Sequence, residues 1–203
     1  MSDKNKLRIM PKLPITREQA LNLIYEYNKE QSDINHYLES EAIMGALAEK
    51  LGEDVEYWRM LGLIHDIDWG VTKNDLGKHL TKAPQILRGA GFDNRFIETI
   101  LSHGYGYEIL GLTNKKRTKP IENALACAET VTGLIHAYAL VRQGRISGMK
   151  SKGLKKRFKD KNFAAKVNRS IIKECEHLDL TLDEFFHLAI QAVAHIKEEI
   201  GLK

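Results

Sequence analysis

Residues 62–69 read Gly-Leu-Ile-His-Asp-Ile-Asp-Trp, so an apolar run ends abruptly in an imidazole and a carboxylate, His65 and Asp66. A second carboxylate, Asp68, follows two residues later. Burying a charged group is costly unless it is paired or holds a metal. The end of this apolar segment therefore predicts an ion-pairing or metal-binding site inside the fold.

Helical periodicity extends on both sides of this stretch. Thr16 and Gln19 have the spacing of a capping box, and Gly52 is a typical helix stop. No segment has the alternation of a strand. The helices are predicted at about residues 17–27, 34–51, 55–65, 84–89, 94–103, 121–141, 163–172 (capped by Asn162) and 182–200 (capped by Thr181). The pattern predicts an all-α fold.

Length and composition predict one soluble domain spanning residues 1–203, with 43% apolar and 29% charged residues. We expect no membrane association and a cytoplasmic protein, because no apolar run approaches the length of a bilayer span and the N-terminus lacks the apolar core of a signal peptide. Cys127 and Cys175 lie far apart on helical patterns, which favours reduced core thiols over a disulfide.

A basic block is the strongest charge asymmetry of a chain whose net charge is +4. Residues 142–166 hold ten basic residues and one acid, Asp160. Two interpretations stay open, a solvated helical face and a cradle for phosphate groups. Phe158 and Phe163 are the only aromatic residues there, so base stacking is poorly supported.

Candidate metal ligands interrupt the apolar helices or lie at their ends. They are His36, His65, Asp66, His79, His103 and Glu129. Imidazoles and carboxylates together suit transition metals, and six ligands exceed one tetrahedral site, so two ions sharing a carboxylate are an option. A single histidine is more often a packed or surface residue. Glu129 is harder to dismiss, because a carboxylate in an apolar helix needs a partner or stays neutral.

The order of these residues resembles the HD-domain superfamily of metal-dependent phosphohydrolases. Residues 63–67 are similar to the end of that family's central helix, and His79 and His103 resemble its two-metal subgroup. Residues 132–135 and 163–165 resemble a subset known as predicted HD hydrolases. The resemblance implies a compact helical HD-like bundle over about residues 30–140, with additional C-terminal helices over about 150–203.

The resemblance also implies the ligand assignment. His36, His65, Asp66 and Glu129 would hold one divalent ion, and Asp66 would bridge to a second ion held by His79 and His103. The ions would be Fe, Mn, Zn or Mg. The chain departs from the family pattern twice, with Glu129 in place of an aspartate and Trp69 in place of the lysine of His-Asp-x-x-Lys.

The implied enzyme is a metal-dependent phosphohydrolase in which a water activated by the ions attacks phosphorus in line. Asp66 and Asp68 are the candidate catalytic residues, Asp68 orienting the water or taking its proton. The alternative for Asp68 is a carboxylate bonded to backbone N–H groups. The candidate substrate-binding cations are Lys73, Lys78, Arg142 and Lys152.

Three more residues have two interpretations each. His136 lies two helical turns beyond Glu129 and either lines the same pocket or, as we favour, is a core histidine bonded to a backbone carbonyl. Tyr105 and Tyr107 either cover a substrate or pack.

We expect the substrate to be a nucleotide or another small phosphate ester. Alternatives left open are an HD-type di-iron oxygenase and a non-catalytic metal- or nucleotide-binding module. RNA binding through the basic block is a weaker alternative, and nucleic acid is a less favoured partner. The apolar C-terminal helix docks either on the core or on a second subunit, so a homodimer is also open.

Overall fold

A computed structural model describes residues 12–203, and this part of the chain is helical, with no β-strand. The all-α prediction is confirmed. The helices are α1 (Arg17–Tyr27), α2 (Gln31–Leu51), α3 (Val55–Ile64), α4 (Trp69–Thr72), α5 (Ala83–Gly89), α6 (Asn94–Ser102), α7 (Pro120–Val141), α8 (Ser151–Lys159), α9 (Arg169–Ile172) and α10 (Leu182–His195). Two 3₁₀ helices span Leu76–Lys78 and Lys173–Leu178.

Most helix ends are where the capping residues predict them. Thr16 forms its capping box with Gln19, and Gly52 ends α2 in the left-handed conformation at φ 69°. The helix predicted from Asn162 is wrong, because residues 161–166 form turns. Asn168 instead caps the short α9 by accepting two backbone N–H bonds. The last helix ends at His195, short of the predicted Ile200.

Helices α2, α3 and α7 form the centre of the fold, with α2 packed against both others. Gly62 permits the contact between α2 and α3, because a Cβ atom there would lie 2.5 Å from the carbonyl oxygen of Ser40. Glu41, on α2 and only 3% exposed, accepts hydrogen bonds from Arg17 and Arg59. These ion pairs fix α1 and α3 to the same side of α2.

One apolar core runs from Ala20 to Leu202 and includes side chains of the C-terminal helices. Helix α10 packs against α2 and α8, and the backbone of Lys203 pairs with Gly144 and Ile146 in the loop after α7. Cys127 and Cys175 are both buried free thiols, which confirms their prediction.

We expected no apolar run long enough to span a bilayer, and this expectation is wrong for α7. By length and composition, its 22 residues are long and apolar enough to cross a membrane. Of the most apolar stretch of this helix, 61% is buried inside the fold. Its apolar side chains pack against α2, α6 and the C-terminal helices. A central core helix and a membrane span share this composition because apolar material surrounds each of them on nearly all sides.

Candidate metal centre

All six predicted ligands meet at one place, although five segments of the chain supply them. His36 lies on α2 and Glu129 on α7. His65 and His103 are the C-terminal capping residues of α3 and α6. Asp66 follows α3, and His79 follows the first 3₁₀ helix. The helix ends therefore direct imidazole and carboxylate groups into a common space.

The six side chains form two groups, and within each group the ligand atoms lie within 4.8 Å of one another. One group is His36, His65 and Glu129, and the other is Asp66, His79 and His103.

Asp66 belongs to the second group and also approaches the first. Its Oδ1 atom is 3.0 Å from His103 Nε2, 3.2 Å from His79 Nε2 and 3.6 Å from His65 Nε2. Its Oδ2 atom is 3.8 Å from His36 Nε2. A carboxylate in this position can reach ions in both groups, as the bridging role that the family resemblance implies for Asp66 would require.

Two histidines have tautomers fixed by the backbone. His65 Nδ1 lies 2.8 Å from the carbonyl oxygen of Gly62, and His103 Nδ1 lies 2.7 Å from that of Ile100. A carbonyl only accepts, so each Nδ1 carries the proton. In a neutral ring the lone pair is then on Nε2, which faces the site and is free to bind a metal.

The other two rings are oriented by side chains. The Thr132 hydroxyl donates to the carbonyl oxygen of Glu129 at 2.6 Å, so its oxygen accepts from His36 Nδ1 at 2.8 Å. His79 Nδ1 lies 3.3 Å from Asp68 Oδ1. Second-sphere partners of this kind are typical of histidines that bind metals.

The donor set fits divalent ions. His36 Nε2 lies 3.0 Å from His65 Nε2, and His79 Nε2 lies 3.3 Å from His103 Nε2. If these four rings are neutral and carry their proton on Nδ1, the two Nε2 lone pairs of each pair point towards each other unless a cation or proton lies between them. Asp66 Oδ1 is also a buried oxygen without a well-formed hydrogen bond to the described chain. Ions in the two groups would satisfy all these atoms.

Burial sets the pKa values of the ligands. It lowers the pKa of His65 to about 3 and raises the pKa of Glu129 to about 8. Burial by itself also lowers the pKa of His79, but the negative charges of Asp66 and Asp68, whose oxygens lie 3.2 and 3.3 Å from its ring nitrogens, outweigh it and raise the pKa to about 10. His65 is therefore neutral at physiological pH, and Glu129 needs a nearby cation to ionise fully.

Asp68 is fully buried, and backbone donors occupy both of its oxygens. Oδ1 accepts from the N–H of Leu80 at 3.2 Å, and Oδ2 accepts from those of Lys82 and Ala83 at 2.9 and 3.1 Å. This geometry favours the alternative of a backbone-bonded carboxylate over proton transfer. Asp68 thereby holds the loop that carries His79.

A cavity of about 610 Å³ opens over the second ligand group. Asp66, His79, His103 and Glu129 are among the residues that line it. Its remaining walls are mostly apolar or aromatic, and they consist of Trp69, Leu76, Gly77, Gly104, Tyr107, Glu108 and Ile109. Tyr107 thus lines the cavity, whereas Tyr105 packs against the core and under Lys115.

The four predicted substrate-binding cations do not line this cavity. Lys73 pairs with Glu30 and Asp33, and Lys78 pairs with Asp75. Arg142 lies thirteen residues beyond Glu129 on the α7 path, about 20 Å along the helix axis. Lys152 is on the exposed side of α8.

We expected His136 to bond to a backbone carbonyl, and this expectation is wrong, because its partner is a carboxylate. His136 Nδ1 lies 3.0 Å from Oε1 of Glu39, which is 2% exposed. Glu39 was not among the predicted site residues, although it lies three residues after His36 on the apolar side of α2, where a buried acid needs a partner.

The family model of the HD domain matches residues 33–131. Three similar proteins are Ribonuclease Y of Thermosipho melanesiensis, 33% identical over 73 residues, and Ribonuclease Y of Thermotoga petrophila and of Thermotoga maritima, each 33% identical over 81 residues. These alignments cover 36 to 40% of this chain and 14 to 16% of the relatives. No solved structure matches the chain significantly. Residues 33–131, which supply all six ligands in the order and geometry described above, are therefore an HD domain.

Proposed function

We propose that this protein is a metal-dependent phosphohydrolase that acts on a small phosphate ester. The observation that carries the proposal is the position of Asp66, which belongs to one ligand group, lies 3.6 and 3.8 Å from two imidazole nitrogens of the other, and lines a cavity. HD-domain membership supports the same reaction class. The three ribonuclease relatives support a phosphate ester as the reacting bond, over the short segment that they share with this chain.

Divalent ions at this centre would polarise phosphate oxygens and lower the pKa of water. The residues of the chain orient the ligands. Backbone carbonyls and Thr132 hold the imidazole rings so that Nε2 faces the site. Asp68 fixes the loop of His79. Such preorganised donors need little rearrangement when charge develops on the reacting phosphate.

The cavity walls favour a substrate with one reacting phosphate group and a planar or apolar remainder. Trp69 and Tyr107 offer two aromatic side chains, and Leu76 and Ile109 add apolar surface. Among residues 12–203, no lysine or arginine lines the cavity, but Glu108 and Glu129 do. A chain of several phosphates would therefore meet like charge beyond the ions, whereas a nucleoside monophosphate or an aryl phosphate would not.

The test is metal analysis of protein purified without chelator, followed by hydrolysis of bis(p-nitrophenyl) phosphate and nucleoside monophosphates with added Mn²⁺ or Fe²⁺. We expect bound transition metal and turnover, both lost in His103→Ala and retained in His187→Ala, because His187 is exposed on α10 outside the site. Metal without turnover on any ester would refute the hydrolase. Oxygen consumption under the same conditions would then indicate the di-iron oxygenase, and its absence the binding module.

The variant Trp69→Ala separately tests the role of the cavity walls in substrate binding. We expect a raised KM for aryl phosphates and nucleotides with little change for methyl phosphate. An equal effect on all three esters would contradict a role for Trp69 in binding the organic group.

A further inference from the structure

We infer that the exposed face of α8 is a binding site for the phosphate backbone of nucleic acid. Lys152, Lys156 and Lys159 follow each other at steps of four and three residues, so they share one face of this nine-residue helix. All three are exposed. Together they span about 10 Å along the axis, which is the rise of about three base pairs at 3.4 Å each.

The three lysines have no acidic partner within residues 12–203. The same holds for the exposed Lys150, Lys161 and Lys166, which continue the cationic surface on either side of α8. Lys155 is the exception, since it pairs with Asp183 of α10. Surface lysines that were merely solubilising would be interspersed with acids. A run of unpaired cations instead fits a ligand with repeated negative charge.

The cationic face is held rigidly by the opposite side of α8. Leu154 and Phe158 are buried in the core. Gly153 lets the helix approach α7 closely, because a Cβ atom there would lie 2.7 Å from the Tyr138 hydroxyl oxygen. The Arg157 guanidinium lies 5.3 Å from the ring centre of Tyr138 and 5.0 Å from that of Phe163. Arg157 therefore serves as an anchor, and the lysines face solvent.

Nucleic acid suits this face better than a membrane surface does. A helix that binds a bilayer in its plane exposes apolar side chains beside its basic ones, but the apolar residues of α8 are buried. Aromatic side chains for stacking are also absent from the exposed side, since Phe158 is buried and Phe163 packs against Arg157. The contacts are therefore with phosphates, which predicts binding without sequence preference.

The experiment measures binding of a fluorescein-labelled single-stranded RNA of about 20 nucleotides by fluorescence anisotropy. EDTA is present, so the result is independent of the metal centre and of hydrolysis. We expect the triple variant Lys152→Glu, Lys156→Glu, Lys159→Glu to flatten the slope of log K against log salt by about 2, since each phosphate contact to a single strand contributes about 0.7. Between about 50 and 200 mM salt, wild type should therefore lose about 20-fold more affinity than the triple variant does.

The control variant Lys12→Glu, Lys29→Glu, Lys82→Glu changes net charge equally at exposed lysines outside the basic block. We expect it to keep most of the affinity and the wild-type slope. Equal losses in both triple variants would overturn the inference, because the effect would then be one of net charge. Equal or tighter binding to vesicles of phosphatidylserine and phosphatidylcholine would overturn it in favour of a membrane surface.

Discussion

Thr132→Val tests whether the hydrogen bonds behind the ligands set metal affinity. Thr132 is 1% exposed, and its hydroxyl links two ligand residues by accepting from His36 Nδ1 at 2.8 Å and donating to the carbonyl oxygen of Glu129 at 2.6 Å. Valine keeps the shape but leaves the Nδ1 proton of His36 without an acceptor. The ring is then free to rotate or change tautomer, so that Nε2 no longer faces the site.

Loss of such a partner costs about 10- to 100-fold in metal affinity, or about 1.4 to 2.7 kcal/mol. We expect this loss when Mn²⁺ binding is measured by isothermal titration calorimetry on metal-free protein. Thr132→Ser should restore most of the affinity because it restores the hydroxyl.

The matched control is Thr99→Val, because Thr99 is 3% exposed and donates to the carbonyl oxygen of Arg95, which is not a ligand residue. Both valine variants should lose about 1 kcal/mol of unfolding free energy, but only Thr132→Val should lose metal affinity. A Thr132→Val protein that binds Mn²⁺ within twofold of wild type would refute the reasoning. Equal loss in both variants would reduce it to a general effect on stability.

Three further predictions concern stability. Gly62→Ala places a Cβ atom 2.5 Å from the carbonyl oxygen of Ser40, and should lower the unfolding free energy in urea by about 1 to 3 kcal/mol; an unchanged midpoint would contradict the close contact of α2 and α3. Asp68→Ala removes the acceptor of three backbone N–H bonds and should cost at least about 2 kcal/mol, with metal affinity reduced as well; a variant as stable as wild type would show that water replaces the carboxylate. The hydrogen bond and charge of Glu39 raise the pKa of His136 above its usual 6.5, so the stabilisation is fully present below about pH 6.5 and disappears as pH rises through the raised value. The stability advantage of wild type over His136→Gln should therefore shrink as pH increases from about 6 to 9, and a constant difference would show that the pair is uncharged.

Local sequence chemistry predicted much of the fold. Capping residues such as Thr16, Gly52 and Asp93 define helix ends because they satisfy backbone groups within a few residues, and the structure has them in those roles. The prediction at Asn162 was wrong because Asn168 offers the same capping chemistry six residues later, and local pattern does not choose between them. The packed core settles that choice.

The sequence by itself determined the chemistry of the candidate site, because only a few residues interrupt its apolar helices with imidazole and carboxylate groups. It could not determine partners that are distant along the chain. The pairing of Glu39 with His136 joins residues 97 apart. Lys73 and Lys78 form ion pairs and do not line the cavity, and this too depends on which side chains meet in the folded chain.

The stretch 62–69 shows where this division lies. Its composition fixed an apolar helix that ends in His65 and Asp66, since hydrophobic burial and the cost of buried charge are properties of the residues themselves. Only the tertiary structure decided that Asp66 would face four imidazoles while Asp68, two residues on, would face three backbone N–H groups. The two carboxylates are chemically equal, and the direction in which the chain leaves α3 gives them different neighbours.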